Sequence, residues 1–160
     1  HVPSWGMLFP SGLCSRYLLL VQVMAGSALA GILWTVQLAI YPQFLFIGAE
    51  QFVVYHAHYM KGISYVVIPF MLIEVLATGT YAFTPKDRIG NFLAGASIIL
   101  LAAAWGSTFL IQVPIHQQLT AGYNPDEINK LAKTNWIRTI GWSTRAIILG
   151  FLWHRSFRSG

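Results

Sequence analysis

The chain is poor in charge and nearly free of cysteine. Lys, Arg, Asp and Glu make up 9% of its 160 residues, against about 25% in an ordinary soluble domain. So few charges cannot cover a water-soluble fold of this size, whereas a protein solvated by lipid needs no more. The single cysteine, Cys14, excludes an internal disulfide and any cysteine metal cluster. It sits just before the first apolar run and reads as an interfacial thiol. Five acids face ten Lys and Arg, for a net charge of +5. The basic residues are scattered at the ends of apolar runs, so the excess reads as topology charge and not as a nucleic-acid footprint. There is no phosphate-cradling glycine loop and no Ser-His-Asp order.

What the chain has is apolar length. It is 56% hydrophobic and 14% aromatic. Runs near the 20 residues that cross a bilayer occur four times, over about 17–41, 63–83, 89–113 and 135–153. An amphipathic lead-in from Glu50 extends the second. The run from Tyr17 exceeds the core of a secretory leader, about 7–15 residues, and no small-residue cleavage site ends it, so it reads as a span. Pro42, Pro85 and Pro114 punctuate the first three ends. Continuous apolar runs call for helices, because backbone in lipid must satisfy its own hydrogen bonds, and they lack the alternation of a barrel strand. The expected fold is therefore all-α: a single integral membrane domain over residues 1–160, built as an up-down bundle of four transmembrane helices.

Finer features follow from the same runs. In AGSALAG (Ala25 to Gly31), Gly26 and Ala30, and Ser27 and Gly31, stand four apart. Gly95, Ala102, Gly106, and Ala103 with Ser107 do similar work in the third run, and such spacings let helices approach closely. Pro69 is expected to kink the second helix. Asn124-Pro125-Asp126 reads as the cap of a short surface helix over Asp126 to Lys133. Arg16, Lys86, Arg88, Arg155 and Arg158 fall on one side with one acid, Asp87. Lys61, Lys130 and Lys133 fall on the other with Glu50, Asp126 and Glu127. The first side, with both termini, is expected in the cytoplasm and the loops 42–60 and 114–134 outside it. The expected location is the inner membrane of a bacterium.

The fourth run, NWIRTIGWSTRAIILGFLW, carries Arg138 and Arg145. An arginine in hydrocarbon costs about 2.5 kcal/mol on the most lenient scale. At 100° per residue Asn135, Arg138, Trp142, Arg145 and Leu149 share one stripe. Ile137, Ile140, Ile147, Ile148 and Phe151 lie opposite, so both arginines face the bundle interior. Arg138 falls near the outer mouth and Arg145 near the midplane. A buried arginine needs an anion, and the one acid inside any run is Glu74. The two share a depth and are expected to pair, either as a structural pin or as a group that positions a ligand or relays a proton. Gln37, Gln112 and Thr108 add hydrogen-bonding groups toward the outer half.

Three histidines, His56, His58 and His116, fall at the outer interface, with Glu50, Met60 and Asp126 in reach. Imidazole with thioether suits copper, and imidazole with carboxylate suits zinc or iron. On a helix His56 and His58 point about 200° apart, so both ligate one ion only if the segment is irregular. A proton-handling or substrate-binding site and ordinary interfacial histidines are the other readings.

The order WTVQLAIYPQF, YHAHY, Glu74, QVPIHQQL and NWIRTIGWSTR resembles a broad bacterial family of small four-helix membrane proteins, loosely similar to the membrane family that includes anthrone oxygenases. The resemblance covers about Trp34 to Arg145. Its most specific part is Asn135, Trp136, Arg138, Thr139, Trp142 and Arg145. It implies oxidation of an aromatic polyketide with little cofactor. Two functional classes stand at this point. One is an accessory or structural subunit, or a homo-oligomer, whose partners are lipid, other membrane subunits or itself. The other is a membrane oxidoreductase with a metal or an organic substrate at the outer face.

Overall fold

The structure, a computed structural model, describes residues 12–158. Among these, four long helical rods run up and down. The first joins α1 (Gly12–Thr35) through a π-helical turn (Val36–Ile40) to the short α2 (Tyr41–Phe44). The second is α3 (Ala49–Ala82), continuous through Pro69. The third joins α4 (Arg88–Ser107) through another π turn (Thr108–Gln112) to α5 (Val113–Leu119). The fourth is α6 (Pro125–Ser156). Three rods, Gly12–Phe44, Ala49–Ala82 and Arg88–Leu119, are long and apolar enough to cross a membrane.

The rods outrun the apolar runs for a physical reason. Proline lacks the N–H of an α-helix and its ring clashes with the carbonyl four residues back. Pro42 and Pro114 are nevertheless both inside helical rods. Before each, the backbone widens into a π turn: the Tyr41 N–H donates to the Val36 carbonyl and the Val113 N–H to the Thr108 carbonyl, five residues back. The wider turn absorbs the proline, and each rod goes on. The two π turns occupy the same positions relative to their prolines, so 12–82 and 88–156 are two versions of one hairpin plan. The surface helix expected over Asp126 to Lys133 is instead the start of α6. Asn124 caps it, accepting the N–H groups of Asp126 and Glu127 at 3.1 and 3.2 Å, with Pro125 at the first position.

α1 packs along α3 and α6, and α6 also packs along α4, whereas α3 and α4 scarcely touch. The small-residue spacings divide accordingly. Gly26 and Ala30 face the interior, while Ser27 and Gly31 are exposed. The close approach of α4 and α6 is made at Gly141, where an added Cβ would meet Ala104 and the Leu100 carbonyl at 3.8 Å. Both described chain ends and the 83–87 turn lie at one end of the bundle, where Arg16 Nε donates to the Ser156 carbonyl at 3.1 Å. The two other turns meet at the opposite end, where the Tyr123 hydroxyl donates to the Leu45 carbonyl at 3.0 Å.

The core is layered. An apolar layer around Leu19, Tyr81, Ala94 and Leu149 lies toward the end with both termini, one around Leu33, Met71, Leu101 and Trp142 in the middle, and one around Tyr41, Phe44, Phe52 and Leu131 toward the far end. Polar side chains lie between these layers, and they form two separate groups.

Candidate functional site

The polar group nearer the chain termini is built around Arg145. Its Nε donates to Glu74 Oε1 at 2.8 Å, and both side chains are fully buried. Nη1 donates to the Ser97 carbonyl at 3.0 Å and to the Ser97 hydroxyl. Nη2 donates to Thr78 Oγ1 at 2.6 Å and Gln22 Oε1 at 3.2 Å. A guanidinium has five N–H groups, and here they meet five acceptors contributed by α1, α3 and α4. Glu74 Oε2 accepts the Trp142 indole N–H at 2.7 Å. Gly26 makes room for the carboxylate, since a Cβ there would lie 2.8 Å from Glu74 Oε1. In this part of the α6 stripe every N–H of the Arg145 guanidinium is met by an acceptor.

The second group lies around Arg138. Its Nε and Nη2 both donate to Asn135 Oδ1, at 2.9 and 2.6 Å, and Nη2 also reaches the Tyr41 hydroxyl at 3.1 Å. Asn135 Nδ2 donates to Gln37 Oε1 at 2.9 Å, and Gln37 Nε2 to the Ala132 carbonyl at 2.9 Å. Gln112 is tied elsewhere, accepting from Ser107 at 2.8 Å and donating to Thr134 at 3.1 Å. Among the described residues no carboxylate pairs with Arg138. It is a half-buried cation held by neutral groups.

From Tyr41 a chain of hydrogen bonds runs inward. The Tyr41 hydroxyl lies 3.1 Å from His116 Nε2, and His116 Nδ1 lies 3.0 Å from His56 Nε2. The two imidazoles are stacked at 5.2 Å, and His56 also stacks on Phe52 at 5.6 Å. His56 is wholly buried, and its Nδ1 has no hydrogen-bond partner among the described residues. The chain has two polarities. In one, Tyr41 donates to His116 and His116 to His56. In the other, His56 donates to His116 and His116 to Tyr41, so that Tyr41 accepts from both His116 and Arg138 and its own proton is free to point elsewhere.

His58 does not join this pair. Helical geometry turns it outward, where it is exposed and its Nδ1 donates to the Val54 carbonyl at 2.9 Å. The expected three-histidine ligand set is therefore reduced to His56 and His116. Among the described residues no three His, Cys, Asp or Glu side chains are grouped to hold an ion.

Beside Tyr41, His116 and Arg138 lies a cavity of about 180 Å³. It lies between α3 and the stretch from Thr108 to His116, beyond the end of α4, with α1 and α6 behind it. Its remaining walls are mostly apolar, with Leu33, Ile63, Val67 and Met71 among them, and Trp142 and Gln112 reach its edge. Ile68 and Phe109 at the rim are more than half exposed, at 52% and 55%. Both π turns border it, through Val36 on one side and Thr108, Phe109 and Gln112 on the other. Such turns re-aim side chains and recur at functional sites. Tyr41 and Tyr59, which also line the cavity, carry no signal in the sequence beyond that of interfacial tyrosines. For Tyr41 alone the neighbouring proline at position 42 is a clue, since the π turn before it sets the direction of Tyr41. Compared with known families, with curated proteins and with solved structures, the chain matches none.

Proposed function

We propose that the protein crosses a membrane four times and captures from the bilayer an apolar molecule bearing a carbonyl or an ionisable hydroxyl. The observation that carries this reading is the cavity between α3 and the Thr108–His116 stretch: apolar walls, an exposed rim, and Arg138, which has no carboxylate partner among the described residues. Apolar pockets with a few converging polar groups are the usual form of a small-molecule site. Arg138 binds the ligand oxygen and favours negative charge on it. Tyr41 adds a second donor to the same oxygen when the relay runs from His56 outward. The two polarities differ in whether the Tyr41 proton is spent on His116 or points to the cavity, so the relay sets whether Tyr41 donates to the ligand oxygen.

Of the two classes, this favours the oxidoreductase-like reading, with an organic substrate and not a metal as the occupant; the resembled family would make that substrate an aromatic polyketide. The accessory-subunit reading rests on the Arg145 layer, which is saturated and fits a pin between helices. For α6 as the fourth span, the support is its exposed apolar face of Ile137, Ile140, Ile147 and Phe151, with both arginines turned inward. The basic end holding Arg16, Lys86, Arg88, Arg155 and Arg158 is assigned to the cytoplasm, and a bacterial inner membrane suits that placement. Labelling of Arg158→Cys from outside intact cells would overturn the orientation.

The test of the site uses anthrone as a probe with the purified full-length protein. Binding should quench tryptophan emission through Trp142. Arg138→Gln should weaken it about tenfold or more, the loss expected of a hydrogen bond to a charged group. Equal affinity in the two proteins, or binding unaffected by filling the cavity with Val67→Trp, would refute the assignment.

A further inference from the structure

The end of the bundle that carries both described chain ends holds a larger cavity, of about 400 Å³. Arg16 from α1, Lys86 and Asp87 from the turn before α4, and Arg155 from α6 line it. The charges do not cancel. Asp87 is occupied: it accepts the Gly90 N–H at 2.8 Å and pairs with Arg155. Lys86 donates to the carbonyls of Tyr81 and Ala82 at 2.8 and 3.3 Å and to the carbonyl and hydroxyl of Thr84 at 2.5 and 3.2 Å, so it closes the end of α3 and brings positive charge to the pocket with its three N–H groups already met. Arg16 spends only its Nε, on the Ser156 carbonyl, and its guanidinium lies 5.0 Å over the Phe157 ring. Its two terminal amino groups make no hydrogen bond among the described residues.

A second feature points to the kind of ligand. Arg16 is also a wall of a separate apolar groove of about 170 Å³, formed with Leu13, Tyr17, Leu20, Trp153 and Phe157. Leu13, Tyr17 and Phe157 are more than half exposed, at 61%, 60% and 55%. Arg16 therefore borders both a cationic pocket and an apolar groove on the bundle surface. An anion with apolar chains attached to it has that shape.

We propose that this end of the bundle is a specific site for an anionic phospholipid. The phosphate sits in the pocket against the free N–H groups of Arg16, with the Lys86 charge adding to the attraction, and the first carbons of an acyl chain lie in the groove against Trp153. Basic pockets at a bilayer surface attract such headgroups. A soluble phosphate would use the pocket and leave the groove empty, so the groove decides for lipid. The proposal rests on the membrane placement above and not on the ligand of the cavity beside Arg138.

The test is quenching of tryptophan emission in vesicles of phosphatidylcholine that contain a minor fraction of lipid brominated on its chains. With the full-length protein, brominated phosphatidylglycerol should quench more than the same amount of brominated phosphatidylcholine. Trp153→Phe should remove that difference. Arg16→Gln should reduce the preference about fivefold, as one basic side chain at an anionic surface is worth. Arg16→Lys should keep part of it. Arg88 and Arg158 line neither the pocket nor the groove, so Arg88→Gln and Arg158→Gln should keep the preference. Equal quenching by the two lipids overturns the site, as does a loss in Arg88→Gln matching that in Arg16→Gln, which would mean general surface charge. Abolition of the preference by added inorganic phosphate overturns the lipid assignment in favour of a soluble anion. Absence of quenching by either lipid overturns the membrane placement itself.

Discussion

Replacing Gly26 by alanine adds one methyl group where the structure has an oxygen. The new Cβ would lie 2.8 Å from Glu74 Oε1. To reach ordinary contact the carboxylate must retreat by roughly 0.5–1 Å. A glutamate at the surface would swing aside, but this one is held from two directions. Arg145 Nε grips Oε1 at 2.8 Å and Trp142 Nε1 grips Oε2 at 2.7 Å. Retreat lengthens at least one of these bonds past the useful range, about 3.2 Å; otherwise α1 must move off α3. Overpacking of this kind costs about 1–3 kcal/mol. Alanine returns about 1 kcal/mol of helix propensity. Gly31 supplies the control, because it lies in the same helix and has open space where its Cβ would go. Gly31→Ala takes the propensity gain alone. Gly26→Ala should therefore be about 1–3 kcal/mol less stable than Gly31→Ala, measured as unfolding in mixed micelles of neutral detergent and dodecyl sulfate. If Gly26→Ala proves as stable as Gly31→Ala, the carboxylate is not held as described and the account of this layer fails.

Three further outcomes follow. Glu74→Gln should cost about 3–5 kcal/mol by stranding the Arg145 charge, and Glu74→Gln with Arg145→Met should recover part of that loss in the same assay. Arg145→Gln should destabilise the fold far more than Arg138→Gln, because Arg138 has no carboxylate to strand; comparable melting temperatures for the two variants would contradict this. The Gly90 N–H, and then Arg155, hold the Asp87 carboxyl below its ordinary value of 3.8. A depressed pKa contributes stability above the ordinary value that is lost as pH falls through the folded one. The gap in melting temperature between wild type and Asp87→Ala should thus be constant from neutral pH down to about pH 5 and shrink below pH 4.

The four helices and the inward stripe of α6 are legible in the sequence because both are periodic. Apolar run length sets the count, and the 100° step puts Asn135, Trp142, Arg145 and Leu149 together while Ile137, Ile140, Ile147 and Phe151 turn outward. The pairing of Glu74 and Arg145 is legible by elimination, there being one acid inside the runs. What is not legible depends on backbone departures that periodicity assumes away. Pro42 and Pro114 read as terminators, yet a π turn before each carries the rod past it. That added residue rotates everything downstream, which is how Tyr41 and His116 come to face one another. Ser97, Thr78 and Gln22 carry no pattern that sets them apart from other small polar residues in a membrane helix. Their roles appear only when four helices converge on one guanidinium. His58 is the reverse case, since its outward direction follows from the helical step relative to His56, and the structure agrees with the geometry and not with the motif's appearance.

The two arginines of α6 solve the same problem in opposite ways, and the contrast separates structure from function. Both must leave water, and a buried cation is tolerated only when its donors are met. Arg145 meets an acceptor for every N–H, one of them a carboxylate, and is wholly buried. Such a site has nothing left to offer a ligand, and any occupant would have to break a bond to enter. Arg138, two turns away, meets among the described residues only the Asn135 amide and the Tyr41 hydroxyl, and it borders a cavity. Its charge is stabilised by dipoles and not cancelled. A fold that needed only a pin between helices would gain nothing from a second, incompletely paired arginine, and would be better served by an apolar residue there. Retaining one is accounted for if the missing partner arrives with the ligand. The Nδ1 of His56 at the far end of the relay, without a partner among the described residues, fits the same pattern. Both ends of the hydrogen-bonded chain are left unfinished, one toward the cavity and one in the core, and a chain unfinished at both ends is one whose polarity can reverse.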